Sequence, residues 1–187
     1  MAITVTEITW GDIDQAIFRD CFDKSLPYLD ATPVPNILWE EMGTTKDVSD
    51  DAKFDVISNL FQNATSGTII FKIDIDGRIV NYNYAIRESG YDGAPRMICH
   101  MMDLMRQDAS GSQGWSYSAE YYQKLDAFFK SKSDDCATFS SWVIEGSGME
   151  AAWDKSVAAG HISYTVGETE ADWHGHNYKK FIITVLV

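Results

Sequence analysis

The chain has 187 residues and a formal charge of −13, with 45% hydrophobic and 13% aromatic residues. That composition can fill a core and is far from a disordered chain's. The negative field repels phosphate backbones, which argues against general nucleic-acid binding and fits solubility at high salt or a cationic partner.

Cys21, Cys99 and Cys136 are widely separated and form no CxxC pair, which removes a zinc ribbon or disulfide framework and fits reduced thiols. The first residues, MAITVTEITW, lack a basic leader and alternate like a strand. The longest strongly apolar run, FIITVLV (181–187), is too short to span a bilayer. The expectation is a cytoplasmic protein with no membrane partner.

In chain order, ITVTEIT (3–9) alternates as a strand. Asp12 and Gln15 then resemble a capping box for a helix carrying Ile13, Ala16, Ile17 and Cys21, with Pro27 closing the segment. NILWEEM (36–42) reads as one or two helical turns among prolines. Ser49 caps a second helix, with Asp50 and Asp51 in its first turn and Phe54, Ile57, Leu60, Phe61 and Ala64 as its stripe.

TIIFKID (68–74) and RIVNYNYAI (78–86) flank Asp76-Gly77, a hairpin signal. A turn-rich loop over Ser89–Pro95 leads to a strand over 96–105, and a polar loop to a helix at about 118–131. CATFSSWVIE (136–145) reads as a strand. A helix bearing Met149, Ala152, Trp153 and Val157 stops at Gly160. HISYTVGE (161–168) and YKKFIITVLV (178–187) are two final strands joined by a polar loop. The order β-α-α-β-β-β-α-β-α-β-β predicts an α/β fold with a mixed sheet, in a single domain over 1–187.

The mouth of the third helix, QGWSYS (113–118), is small and polar. The first amides of a helix lack partners and carry partial positive charge, so such an end can hold an anion without a basic side chain. Plain capping by Ser116 or Ser118 is the simpler reading of the same residues.

At this point the chain resembles the GNAT N-acetyltransferase superfamily, which has the same element order. Its cofactor loop follows Gln/Arg-x-x-Gly-x-Gly/Ala before the third helix; here Gln113-Gly-Trp-Ser-Tyr-Ser118 stands there, with Ser116 and Ser118 in place of both small residues. The resemblance implies that Gln113, Gly114, Trp115, Ser116, Tyr117 and Ser118 hold the diphosphate of acetyl-coenzyme A or another acyl-coenzyme A. It also implies that exposed backbone near Leu104 and Met105, where the fourth and fifth strands splay, pairs with the pantetheine arm. A second match lies along the fourth helix, where Met149, Ala152, Ser156, Gly160 and His161 occupy the family's spacing. Ser156 replaces a tyrosine that protonates the departing thiolate, and serine is too weak an acid for that role.

The function implied is acyl-coenzyme A-dependent acyl transfer to the amine of a small molecule or peptide, by direct attack on the thioester and with no metal. The alternative is a fold relative without catalysis that serves as a binding or assembly module. No catalytic residue is assigned. Trp173-His174-Gly175-His176 offers two histidines, too few for a metal; one could act as a base, or the segment is an exposed hairpin tip. His100 reads as a core histidine. Asp103 is either a carboxylate able to take the amine's proton or an edge residue facing water. P-loop, HExxH and GxSxG signatures are absent from the sequence.

Overall fold

In the computed structural model, which describes residues 2–30, 39–40, 42–64, 67–86, 88–89, 95–96, 102–106, 117–132, 139–173 and 175–187, the opening alternation forms β1 (Ile3–Ile8). A 3-10 turn follows at Trp10–Asp12, and the capping differs from expectation. The box joins Thr9 to Asp12, whose Oδ2 accepts from the Thr9 amide and hydroxyl at 2.9 and 2.8 Å. Asp14 instead opens α1 (Gln15–Asp30), its Oδ1 accepting from the amides of Ala16 and Ile17.

Pro27 does not close α1; it lies inside it. An internal proline removes one helical bond and costs about 3 kcal/mol. The last turn persists because its end is anchored. Asp30 Oδ1 accepts from Trp39 Nε1 at 2.9 Å and from the Lys53 ammonium at 3.2 Å.

Ser49 caps α2 (Asp50–Gln62) as expected, accepting from the Ala52 amide at 3.1 Å. β2 (Thr68–Ile75) and β3 (Arg78–Ile86) form the expected hairpin. Asp76 and Gly77 both take positive φ (51° and 82°), the requirement of a type I′ turn. The ends of the Ser89–Pro95 loop are themselves paired, β4 (Glu88–Ser89) with β5 (Pro95–Arg96). The strand expected over 96–105 is present as β6 (Met102–Met105); residues 97–101 lie outside the described set.

The remaining elements are α3 (Ala119–Lys132), β7 (Phe139–Ile144), α4 (Gly148–Ala158), β8 (Ile162–Trp173) and β9 (His176–Val185). Two expectations change here. The polar loop between the last strands is mostly ladder, with Thr169 opposite Lys179, Glu170 opposite Tyr178 and Trp173 opposite His176. Along α4, Trp153 and Ser156 are buried, whereas Met149 and Val157 are 42% and 39% exposed, so the apolar stripe is narrower than its sequence spacing indicated.

The result is a mixed α+β fold built on two antiparallel sheets, ordered β1-β2-β3-β6 and β7-β9-β8. The first sheet is sandwiched. Ile70, Tyr82 and Leu104 pack against Phe18 and Phe22 of α1 and Ile57 and Phe61 of α2. Phe71 and Ile73 on its other face join Tyr122, Leu125 and Phe129 of α3, and the same cluster takes in Phe139, Phe181 and Trp153 from the second half. A bulge between Ile73 and Asp74 makes Val80 an extra residue, so Asn81 and Asn83 fall opposite Ile73 and Phe71 on the α3 side.

Breaking the Asp30 anchor tests the account of α1. Asp30→Ala removes the acceptor of both Trp39 and the buried Lys53 ammonium and should cost about 3 kcal/mol in urea unfolding, whereas Lys53→Met, which leaves the part-exposed Asp30 its Trp39 bond, should cost less. No loss in Asp30→Ala would show that Asp30 does not hold the turn.

Candidate functional site

The first sheet ends at β6 and the second begins at β7, and among the described residues the two strands do not pair with each other. One hydrophobic cluster nevertheless joins the two sheets. The gap between these strand edges is where backbone polarity falls outside the ladders, and the Asp103 charge on β6 reaches the phenol of Tyr117, which precedes α3 by two residues.

Ser118 is the cap of α3. Its Oγ accepts from the Tyr121 amide at 3.2 Å and its carbonyl from the Tyr122 amide at 3.2 Å. The simple capping reading therefore holds for its side chain. The amides of Ala119 and Glu120 are the first-turn donors that the helix does not use. The Glu120 carboxylate, which would compete for that charge, is turned to β1, where it accepts from the Ile3 amide at 3.1 Å.

Tyr117 takes φ +59°, a left-handed conformation unusual for a tyrosine. Its environment holds it there. His161 Nδ1 lies 3.1 Å from its carbonyl, and its ring packs edge-on against Trp153 and Tyr121. Its hydroxyl donates to Met149 Sδ at 3.9 Å, and burial pushes the phenol's pKa upward. The ring is thus turned into the core, and any contact of Tyr117 with an anion would come from its backbone. Gln113, Gly114, Trp115 and Ser116 lie outside the described residues, as do His100 and His174.

Leu104 and Met105 require a correction. The Arg106 amide donates to the Val80 carbonyl at 2.7 Å, which sets the phase of the ladder: Leu104 turns its polar groups to Tyr82 of β3, and Met105 turns its groups to the open edge. That edge is taken. Ser25 Oγ of α1 accepts from the Met105 amide at 2.8 Å and donates to the Met105 carbonyl at 3.2 Å. The exposed backbone expected here is closed by a side chain, because α1 packs directly along β6 and brings a hydroxyl to its rim.

Asp103 sits two residues earlier on the α3 face, half-buried, opposite Asn83. Asn81 Nδ2 donates to its Oδ1, and Asn83 Nδ2 donates to Asn81 Oδ1. Desolvation raises the Asp103 pKa to about 6 against the opposing pull of the Asn81 and Asn83 amides. Asn83 Oδ1 is buried with no partner, so the cluster holds more acceptor oxygens than it can satisfy. Sequence reading singled out Asp103 and missed the two asparagines. Their signal was a pair of carboxamides two apart in an otherwise apolar strand, RIVNYNYAI.

Ser156, at the family's tyrosine position, is buried and bonded to the Tyr122 hydroxyl at 2.8 Å and the Ala152 carbonyl at 3.2 Å. It joins α3 to α4 and has no open path to a ligand. His176 opens β9 opposite Trp173, at the tip of the final hairpin. Among the described residues no group of three His, Cys, Asp or Glu is placed to hold a metal.

No family model and no curated protein sequence matches the chain. Solved structures do. A ribosomal-protein alpha-N-acetyltransferase in complex with coenzyme A matches with TM-score 0.58 at 10% identity, over 100% of this chain and 95% of that one. An aminoglycoside acetyltransferase in complex with coenzyme A and kanamycin matches with TM-score 0.56 at 8% identity, over 98% and 95%. An acetyltransferase of the GNAT family from Streptococcus pneumoniae matches with TM-score 0.52 at 7% identity, over 100% of both chains.

The carboxyl of Asp103 gives a test in stability. With a folded pKa above the unfolded one, ionisation disfavours the folded state: stability is full below about pH 4 and falls as pH rises through about 6. The total is on the order of 3 kcal/mol. Asp103→Asn removes that slope, so its stability relative to the parent should improve between pH 4 and pH 8 by about that amount. A difference constant with pH would show an unperturbed carboxyl. The chain has the fold of the GNAT N-acetyltransferases.

Proposed function

We propose that the protein is an acyl-coenzyme A-dependent N-acyltransferase acting on an amine of a small molecule or peptide. The observation that carries this reading is the half-buried Asp103 carboxylate on the edge strand β6, its charge felt at Tyr117, two residues before α3. That solved proteins of this fold are bound to coenzyme A supports the choice of co-substrate.

The residues present fit such a molecule at its diphosphate. The amides of Ala119 and Glu120, with the preceding 113–118 loop, would bind it through the helix-end dipole. When bound, the thioester supplies an activated acyl group. The protein's part is to hold an amine against that carbonyl and to receive a proton. As the carbon–nitrogen bond forms and the carbon–sulfur bond breaks, the nitrogen gives up a proton to Asp103. A carboxylate titrating near 6 is suited to accept it, and its Oδ1 is oriented by Asn81. The departing thiolate takes its proton from solvent, since Ser156 is committed elsewhere.

The charge of −13 favours a cationic acceptor, such as a polyamine or a basic peptide terminus, and we place the protein in the cytoplasm. A second reading, a binding or assembly module without catalysis, is favoured by the closure of Met105 and the loss of the family's tyrosine.

Ser118→Asp separates the two readings. Aspartate caps a helix as well as serine does, so folding is kept while a negative charge enters the mouth. Calorimetry should show saturable acetyl-coenzyme A binding that weakens about tenfold or more in Ser118→Asp. Asp103→Asn should bind normally but acylate amines at least about a hundredfold more slowly near neutral pH. Binding without turnover in the parent would favour the module, and absence of binding would end the proposal.

A further inference from the structure

Ser25 is the one side chain among the described residues that bonds both backbone groups of a β6 edge residue. It stands where a neighbouring strand would stand. A single hydroxyl accepts from the Met105 amide and donates to its carbonyl, doing locally what a ladder partner does along a whole edge. Ser25 is 5% exposed, and α1 is held around it by Arg106, whose guanidinium bonds Asp20 at 2.6 Å.

A serine inside a helix has a second acceptor within reach, the carbonyl four residues earlier, here that of Cys21. One rotation about χ1 therefore trades the Met105 carbonyl for the helix carbonyl and leaves the strand edge open. The cost of that trade falls mainly on the Met105 amide, which loses its acceptor until something else supplies one.

We propose that Ser25 is a ligand-discriminating residue: a displaceable stopper on β6 that yields only to an arm offering both a carbonyl and an N–H at amide spacing. This inference rests on the acyltransferase reading above. An arm with amide groups replaces both bonds that Ser25 makes and restores the edge. A nucleotide diphosphate that only reaches the α3 mouth leaves Ser25 in place, and an aliphatic chain without amides gains nothing by moving it. The side chain thus sets a threshold on what occupies the gap, independently of the charge at the helix end.

The test is a comparison of two ligands on three proteins: coenzyme A, and its nucleotide part alone (adenosine 3′-phosphate 5′-diphosphate). Ser25→Ala removes the stopper, so the free protein already carries the open Met105 groups. Coenzyme A should then bind about five- to thirty-fold tighter than to the parent, the range one lost hydrogen-bonding pair produces, while the nucleotide binds unchanged. Thermal melting should fall without ligand and match the parent at saturating coenzyme A. Ser25→Thr keeps the hydroxyl and should behave as the parent. Should Ser25→Ala fail to fold, Ser25→Cys, which weakens both bonds at nearly constant volume, should shift coenzyme A binding in the same direction. Unchanged or weaker coenzyme A binding in the variant, with the nucleotide still bound, overturns the stopper and leaves the acyltransferase reading intact. Parallel gains for both ligands overturn it as well. No binding of either ligand to any of the proteins overturns both proposals.

Discussion

A sheet that stops at β6 and resumes at β7 leaves backbone amides and carbonyls that must find partners, and this constraint organises the rest of the molecule. Buried edges without partners are costly, so a chain that keeps two sheets on one core must treat each exposed group separately. The chain does so with side chains from helices. Glu120 reaches the Ile3 amide on β1, and Ser25 reaches Met105 on β6. α1 is the main instrument, tied to α2 through Lys53 and Arg19 and to β6 through Asp20 and Ser25. The β6 wall of the gap is thus braced from behind by α1.

Chemistry in that gap is set by exclusion of water as much as by the residues themselves. Asp103 sits with two carboxamides on the face that packs against α3, among Phe71, Ile73 and Tyr122. A carboxylate there is raised by desolvation and pulled back by the Asn81 and Asn83 amides. The balance leaves it able to change protonation near neutrality. Tyr117 contributes differently. Its left-handed backbone turns the chain into α3 while its ring fills the core beside Trp153, so the helix end is not blocked by its own aromatic residue.

Much of this architecture is legible in the sequence because it is local. Asp76-Gly77 has one good hairpin solution, and Ser49 followed by two aspartates has one good helix start. Tertiary ties decide the other cases. Pro27 reads as a stop unless one knows that Asp30 is anchored to Trp39 and Lys53. The stretch between the last two strands reads as a loop because Glu170 and Asp172 are poor strand formers, yet pairing with β9 carries them. At the site, Asp103 could be picked out from its odd placement in a strand. Ser25 could not, since its role depends on an encounter 80 residues away along the chain.

The additional residue at Val80 bears on how such a site arises. Were the hairpin to zip without it, Asn81 would face Lys72 and Asn83 would face Ile70, on the side covered by α1 and α2. The carboxamides would then be strangers to Asp103. A slip of one position thus chooses which hemisphere of the molecule receives its polar chemistry, with composition unaltered. A change of pairing that drew Val80 into the ladder would be enough to move these groups from one side of the sheet to the other while the hairpin itself endures.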